Sequence, residues 1–361
     1  MPVDVKAALH HRCAKMVHRG VTGVDVLGTT FAGIREALAP PAGRVVALRR
    51  EYANLLRGQD GNGELRADLL PVVREHRDGE LIKFVQKRPD GLETESVIIP
   101  MAGRGRKWNT LCVSSQVGCA MGCTFCETAQ LGKLAQLPAA EIVGQVVAAR
   151  RHFAADIRNV VFMGMGEPFD NFDEVIQAVR VLTDTCGLSM GMSHITISTV
   201  GRVEGIRKLA ALGWRRINLA VSLNAPNDAI RSRIMPINRV EPMGMLREAM
   251  LAYPLRKCQF LMIEYVLIPG VNDARDHAEE LAEYLRPIQC CVNVIPYNPR
   301  RESPYEAPTE AQVWAFLDQL EAAGQFCKRR VTKGRDFMAA CGQLGNRALS
   351  RRAMPVALNC E

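Results

Sequence analysis

Twelve cysteines are spread along the 361-residue chain, and three of them crowd into one short stretch, Cys119-Ala-Met-Gly-Cys123-Thr-Phe-Cys126. A C-x-x-x-C-x-x-C loop can bring three thiolates to three irons of a [4Fe–4S] cube, leaving the fourth iron open to an exogenous ligand. Zinc is the other chemistry open to clustered thiols. A closed zinc site takes four donors, however, and this loop supplies three. Cys112 lies seven residues before the triad, so four thiols fall within fifteen residues, more than packing requires. The other cysteines, Cys341 in Ala-Ala-Cys-Gly-Gln-Leu-Gly included, read on their own as small buried hydrophobes.

The elements around the triad follow a rhythm. Strand-like apolar runs fall at 110–115, 159–165, 194–199, 217–223, 260–268 and 292–297. Helix-like runs at 138–153, 171–184, 203–213, 241–253 and 274–287 separate them. Strands alternating with helices predict parallel βαβ units. Six such units predict an α/β fold, a partial (β/α)6 barrel rather than a closed eightfold one. The cysteine loop follows the first strand, which puts it at the C-terminal mouth of the sheet, where active sites of such folds sit. No G-x-G-x-x-G follows that strand, which argues against a doubly wound dinucleotide-binding sheet. A last helix at 309–324 leads to a late strand at 326–333, and 334–346, flanked by glycines, reads as a loop. Alternation in Leu-Ile-Lys-Phe-Val-Gln-Lys and Glu-Ser-Val-Ile-Ile-Pro around a Pro-Asp-Gly turn predicts a β-hairpin over 80–100. Three regions result: a helical N-terminal region at 1–80, a core with its hairpin extension at 81–345, and a tail at 346–361.

The bulk properties limit the partners. Net charge is +8, with a pI near 9.0, which favours an acidic partner such as nucleic acid. Candidate phosphate contacts are Arg104, Arg106 and Lys107, and then Lys328, Arg329, Arg330, Lys333 and Arg335 just before the Cys341 loop. No apolar run is long enough to span a membrane and the first residues lack a secretion signal, so a cytoplasmic protein with no disulfide framework is expected.

The triad spacing resembles that of radical-SAM enzymes. More narrowly, the run CVSSQVGCAMGCTFCETAQLG is similar to the RlmN/Cfr family of RNA adenine methyltransferases. The likeness continues through MGMGEPFDN, ITISTVG, SLNAPND, MPIN, IEYVLIPGVND, VIPYNP and AACGQLG, over roughly residues 80–345. It implies a [4Fe–4S] cluster on Cys119, Cys123 and Cys126 whose open iron binds S-adenosylmethionine (SAM). It implies SAM contacts from Gly166, Glu167, Ser198, Ser222, Leu223, Asn224 and Asn298. It also implies that Cys341 accepts a methyl group from one SAM. A second SAM then yields a radical that activates the S-methyl group for addition to an adenine ring carbon. Cys112 would release the product by forming a disulfide with Cys341, and Glu95 would take the ring proton. Carbons 2 and 8 of adenine are electrophilic and cannot attack a SAM methyl directly, which is why a radical route and a carrier thiol are needed.

The substrate implied is rRNA or tRNA. The Thr-Ala-Gln after Cys126 is closer to the carbon-2 branch than to the carbon-8 branch. A flavodoxin-type electron donor and a monomeric state go with the resemblance. The chain departs from the pattern at Asn224, where the family usually has His, and in its first 80 residues. The alternatives are a radical-SAM enzyme with another substrate and a non-enzymatic zinc- or RNA-binding protein. The presence of both Cys112 and Cys341 weighs against the former.

Overall fold

The computed structural model describes residues 23–349 except 62, 104, 332 and 335–337. Arg104 and Arg335, like residues 1–22 and 350–361, lie outside the described residues. Near the N-terminus are a short strand β1 (Val24–Asp25), helices α1 (Phe31–Leu38) and α2 (Val45–Leu56), and β2 (Leu65–Arg66), which pairs with β1. An antiparallel meander follows: β3 (Val72–Asp78), β4 (Leu81–Lys87), β5 (Glu93–Gly103) and β6 (Arg106–Cys112). Thus 72–78, read as part of a helical region, is a strand. Its Val72-Val-Arg-Glu-His-Arg-Asp sequence faces solvent over most of its length and lacks the apolar stripe that would have marked it. The expected hairpin is therefore one part of a larger extension.

After β6 come the small strand β7 (Gln116–Val117), the short helix α3 (Glu127–Gln130) and β8 (Ala135–Gln136), which pairs with β7. Helix α4 (Ala139–Phe153) then leads into regular alternation: β9 (Ile157–Phe162), α5 (Phe172–Thr183), β10 (Ile195–Thr199), α6 (Val203–Ala211) and β11 (Asn218–Ser222). It continues through α7 (Asp228–Ile234), α8 (Met243–Ala252), β12 (Leu261–Leu267), α9 (Arg275–Leu285), β13 (Cys290–Pro296), α10 (Glu310–Ala322) and β14 (Cys327–Arg329). Strands β6, β9, β10, β11, β12, β13 and β14 pair in parallel, in that order, within one ten-stranded sheet that ends on β14 at one side and β3 at the other. The expected partial six-unit barrel is present, with β14 as a seventh parallel strand. Its outer face packs on helix stripes such as Val175, Ile176, Val179 and Leu182 of α5. Helix α10 starts on a capping box, in which Thr309 Oγ1 accepts from Gln312 N–H and Gln312 Oε1 accepts from Thr309 N–H.

The open side of the barrel lies between β14 and β3. The chain after β14 crosses it, with Met338 O accepting from Lys83 Nζ of β4 at 2.9 Å and Lys333 Nζ reaching Pro100 O of β5.

Candidate active site

The loop of the cysteine triad is shaped by close backbone approach. Gly118 adopts φ +74°, and a Cβ there would meet Gly132 O at 1.8 Å, so only glycine fits. Next to it, Cys119 N–H donates to that same carbonyl at 3.1 Å. Thr124 N–H donates to Ile234 O at 3.0 Å, and Cys126 N–H to Cys123 O at 3.2 Å. Cys119 and Cys123 are buried and Cys126 is half-buried, and all three face one cavity. Burial pushes the Cys119 thiol up to about 12 and Cys123 well above its usual value. A bound cation reverses that preference, because a coordinating thiol is deprotonated outright.

The rest of this cavity is the C-terminal mouth of the barrel. Gly166, with φ +100°, lies against Gln116, where a Cβ would come within 2.5 Å of the Gln116 side chain. Gln116 Oε1 accepts from Glu167 N–H at 2.8 Å. Glu167 is buried and ties two strand ends together: Oε1 accepts from Phe169 N–H at 3.0 Å and Oε2 from Val200 N–H at 2.8 Å. Burial pushes its carboxyl up to about 7, against those two N–H groups. Ser198 and Ser222 line the same cavity from β10 and β11. Leu223 does not: one step along an alternating strand turns its side chain into the core, while its carbonyl accepts from Arg231 Nε at 3.1 Å. Asn224 lines the cavity at φ +58°, a left-handed conformation that Asn and His tolerate better than most residues. Its Oδ1 accepts from Val266 N–H at 2.8 Å, so part of its side chain joins β11 to β12. Asn298 is buried and lines this cavity and a second one in the lower barrel.

Cys341 also lines both cavities. It rides on the crossing segment, which is clamped on two sides. Toward the triad, Gly342 O accepts from Glu127 N–H at 2.7 Å, Leu344 O accepts from Thr128 Oγ1, and Arg347 pairs with Glu127 at 2.7 Å. Toward the meander, Gly345 N–H donates to Glu95 Oε2 at 3.0 Å and Asn346 Nδ2 to Glu93 Oε2 at 3.1 Å. Glu95, only 5% exposed, pairs with the equally buried Lys83 at 2.7 Å. The carboxylate therefore faces a neighbouring hollow shared with His76, Arg301 and Asn346, and it anchors the Cys341 loop from there. Glu93 pairs with Arg74.

Cys112 ends β6 on the face that points into the barrel, two residues after Thr110, which lines the lower cavity. It is buried, its thiol is pushed up to about 12 by burial, and it feels the charge of both Cys341 and Arg330. The strand ends that carry it are tied by Gln145 of α4. Gln145 Oε1 accepts from Ser96 Oγ at 2.7 Å and from Ser114 N–H at 2.8 Å, and Nε2 donates to Ser114 O at 2.9 Å.

Among the described residues no three His, Cys, Asp or Glu side chains converge tightly enough for a single metal ion. The three thiols instead share the wall of one cavity, which suits a cluster in which each thiolate takes a different iron. The Radical SAM superfamily pattern matches residues 113–285, from the strand end before the triad to the end of α9. A dual-specificity RNA methyltransferase RlmN of Nitratidesulfovibrio vulgaris is 43% identical over 280 residues, covering 76% of each chain. Its counterpart from Halorhodospira halophila is 45% identical over 277 residues, again 76% of each. This chain belongs to the RlmN family of radical-SAM methyltransferases. The crystal structure of a radical SAM methyltransferase from Sphaerobacter thermophilus superimposes with a TM-score of 0.77 at 37% identity, over 89% of this chain and 98% of that one. Membership in the radical-SAM superfamily implies SAM and a [4Fe–4S] cluster, and the donor set at the mouth fits both.

The basic residues divide. Arg106 and Lys107 are exposed, with Glu80 3.8 Å from Lys107. Lys328 and Lys333 are exposed at the lip of the lower cavity. Arg329 turns to Glu310 and the Trp314 ring. Arg330 corrects the expectation of a phosphate contact, since its guanidinium points inward to Glu264 at 3.2 Å. No described helix is long and apolar enough to cross a membrane.

Several site residues escaped the sequence reading. Lys83 and Gln145 left a usable signal, each a polar residue inside an apolar run. Glu264 sits in Met-Ile-Glu-Tyr-Val and left the same mark. Arg231 left none. It is fully buried, and its guanidinium donates to the carbonyls of Val200 and Leu223 and to Asn238 Oδ1.

Proposed function

We propose that this protein methylates a ring carbon of an adenosine in rRNA or tRNA, carbon 2 in preference to carbon 8, in the cytoplasm and as a monomer reduced by a flavodoxin-type donor. The observation that carries the reading is the position of Cys341. Its loop is clamped onto the triad loop, so the thiol faces the cavity of the cluster on one side and the lower cavity on the other. Cys119, Cys123 and Cys126 would hold the cluster. When bound, that cluster supplies the electron that splits SAM and so opens radical chemistry at an unreactive carbon.

The chain's own residues do the rest. Gly166, packed against Gln116, brings its backbone to the wall of the cavity where a ligand would lie, while Glu167 and Ser198 offer acceptors and a hydroxyl to the SAM amino and carboxylate groups. Ser222, Asn224 and Asn298 line the remainder of that space, and Leu223 supports it from the core. The substrate base enters from the lower cavity, with phosphates outside it on Lys328 and Lys333. Cys341 carries the methyl group to the base carbon. In the resulting Cys341–methylene–base adduct the thiolate of Cys112, inward-facing on β6, attacks the Cys341 sulfur. The disulfide forms as the sulfur–methylene bond breaks, and the methylene carbon keeps that electron pair and takes a proton to become the methyl group. Glu95 takes the ring proton when the loop it holds at Gly345 shifts to admit the base, with Lys83 balancing its charge.

The test is anaerobic incubation of the reduced protein with methyl-labelled SAM and total RNA, followed by nucleoside analysis. Label in 2-methyladenosine is the expected result. Label in 8-methyladenosine overturns the carbon-2 preference, and label absent from adenosine overturns the reading.

A further inference from the structure

Two phenylalanines at the lower end of the barrel present their rings to solvent. Phe260 precedes β12 and is 46% exposed, and Phe326 precedes β14 and is 50% exposed. Their ring centroids are 5.9 Å apart. Of the ring contacts among the described residues, this is the one in which both partners are exposed. Apolar residues scattered singly on a surface need no explanation, but two aromatic rings held together in water do.

The sheet fixes where these rings point. Leu261 N–H donates to Gln289 O and Val292 N–H to Phe326 O, each at 3.0 Å, so the ladder runs up to both phenylalanines. Side chains two residues apart along a strand share a face. Met262 and Lys328 line the lower cavity, which puts Phe260 and Phe326 on the same inner side, at its lower edge. The Lys328 ammonium lies over the Phe326 ring, 5.1 Å from its centroid. Arg256 and Lys257 are exposed in the turn before Phe260.

We propose that Phe260 and Phe326 form a stacking platform for an unpaired base of the RNA, next to the nucleotide whose base enters the lower cavity. This rests on the reading of RNA as the substrate and adds a second point of contact to it.

Position, chemistry and size select this occupant. The rings border the cavity that admits the target base. Aromatic faces accept any base, because every base has a π face, and cations beside them take the backbone phosphates. The hold of Lys328 on Phe326 is weak at an exposed site, so the ammonium can pass to a phosphate oxygen as a base takes its place. Two half-exposed rings offer on the order of 200 Å². A stable protein interface needs about 800 Å² per partner.

The test titrates the full-length, cluster-reconstituted protein with a short single-stranded RNA carrying a central adenosine, over a series of salt concentrations. Versions abasic at either neighbour of that adenosine are titrated in parallel. Phe326→Ala should weaken binding about tenfold and leave the slope of log affinity against log salt unchanged, whereas loss of a phosphate contact flattens that slope. Phe326→Leu, apolar but without a π face, should also weaken binding, and Phe326→Trp should retain it. One abasic RNA should bind the wild type about tenfold more weakly, and that deficit should vanish on the double variant Phe260→Ala/Phe326→Ala. The proposal is overturned if the wild type does not bind the RNA, if Phe326→Ala binds as the wild type does, or if the abasic deficit is the same on both proteins. A wild-type dimer that Phe326→Ala separates, read by sedimentation, also overturns it, because a second copy then covers the rings. Methyl transfer to total RNA by the wild type separates the two readings. Coupling without methylation removes the methyltransferase reading and leaves the platform, and methylation without coupling removes the platform alone.

Discussion

The two walls that meet at Cys341 are built on different principles. The triad wall is held by backbone geometry: Gly118 against Gly132, Cys119 N–H on the same carbonyl, and Gly166 against Gln116. The meander wall is held by charge: Lys83 with Glu95, Arg74 with Glu93, and the loop amides of Gly345 and Asn346 on those two carboxylates. A wall that keeps one group in place gains from contacts that cannot rearrange. The proposed carrier role has the Cys341 thiol change covalent partner, and a wall with that task would gain from contacts that can be remade, as ion pairs with hydrogen-bonded loop amides can.

Substitutions can break this contrast one wall at a time. The largest effect is expected from Cys123→Ser, which should abolish the iron–sulfur absorbance near ~400 nm and all methyl transfer, read by spectroscopy and nucleoside analysis. On the meander wall, Lys83→Met leaves the Glu95 carboxylate buried without its partner. It should lower unfolding stability by about 3–5 kcal/mol, and the double variant Lys83→Met/Glu95→Gln should recover much of that loss in denaturant titrations. Gly118→Ala forces a Cβ onto Gly132 O, at a cost of about 1–3 kcal/mol, and should impair cluster retention as well as stability. The smallest effect is expected at the lip of the lower cavity. There Lys328→Ala or Lys333→Ala should each flatten the slope of log affinity for RNA against log salt by about 1, with the iron–sulfur spectrum unchanged.

The contrast also explains what could be read from sequence. The triad wall was legible because its residues are neighbours in the chain and their spacing is itself the geometry. The barrel strands were legible because buried parallel strands appear as continuous apolar runs, and observed strands such as Ile195–Thr199 and Leu261–Leu267 fall inside the expected ones. The meander wall was legible only in part: the hairpin over 80–100 was expected and is present as β4 and β5, but β3 and the pairings that hold the wall to the Cys341 loop were not. Strand β3 has an exposed, charged face, and Glu95 finds Gly345 across 250 residues of chain. Leu223 shows the same limit at the scale of one residue: its neighbours Ser222 and Asn224 line the cavity, and the alternation of the strand turns Leu223 away. Arg330 was named among phosphate contacts because its charge is visible in sequence and its direction is not.

The central claim is that Cys341 carries the group transferred to RNA and Cys112 releases it. Cys112→Ala protein, reacted anaerobically with SAM and RNA and then digested, tests this most directly by mass spectrometry. The expected product is a nucleotide joined through a methylene carbon to the Cys341 peptide, with little free methylated nucleoside. Normal turnover by that variant, or a nucleotide attached anywhere but Cys341, would contradict it.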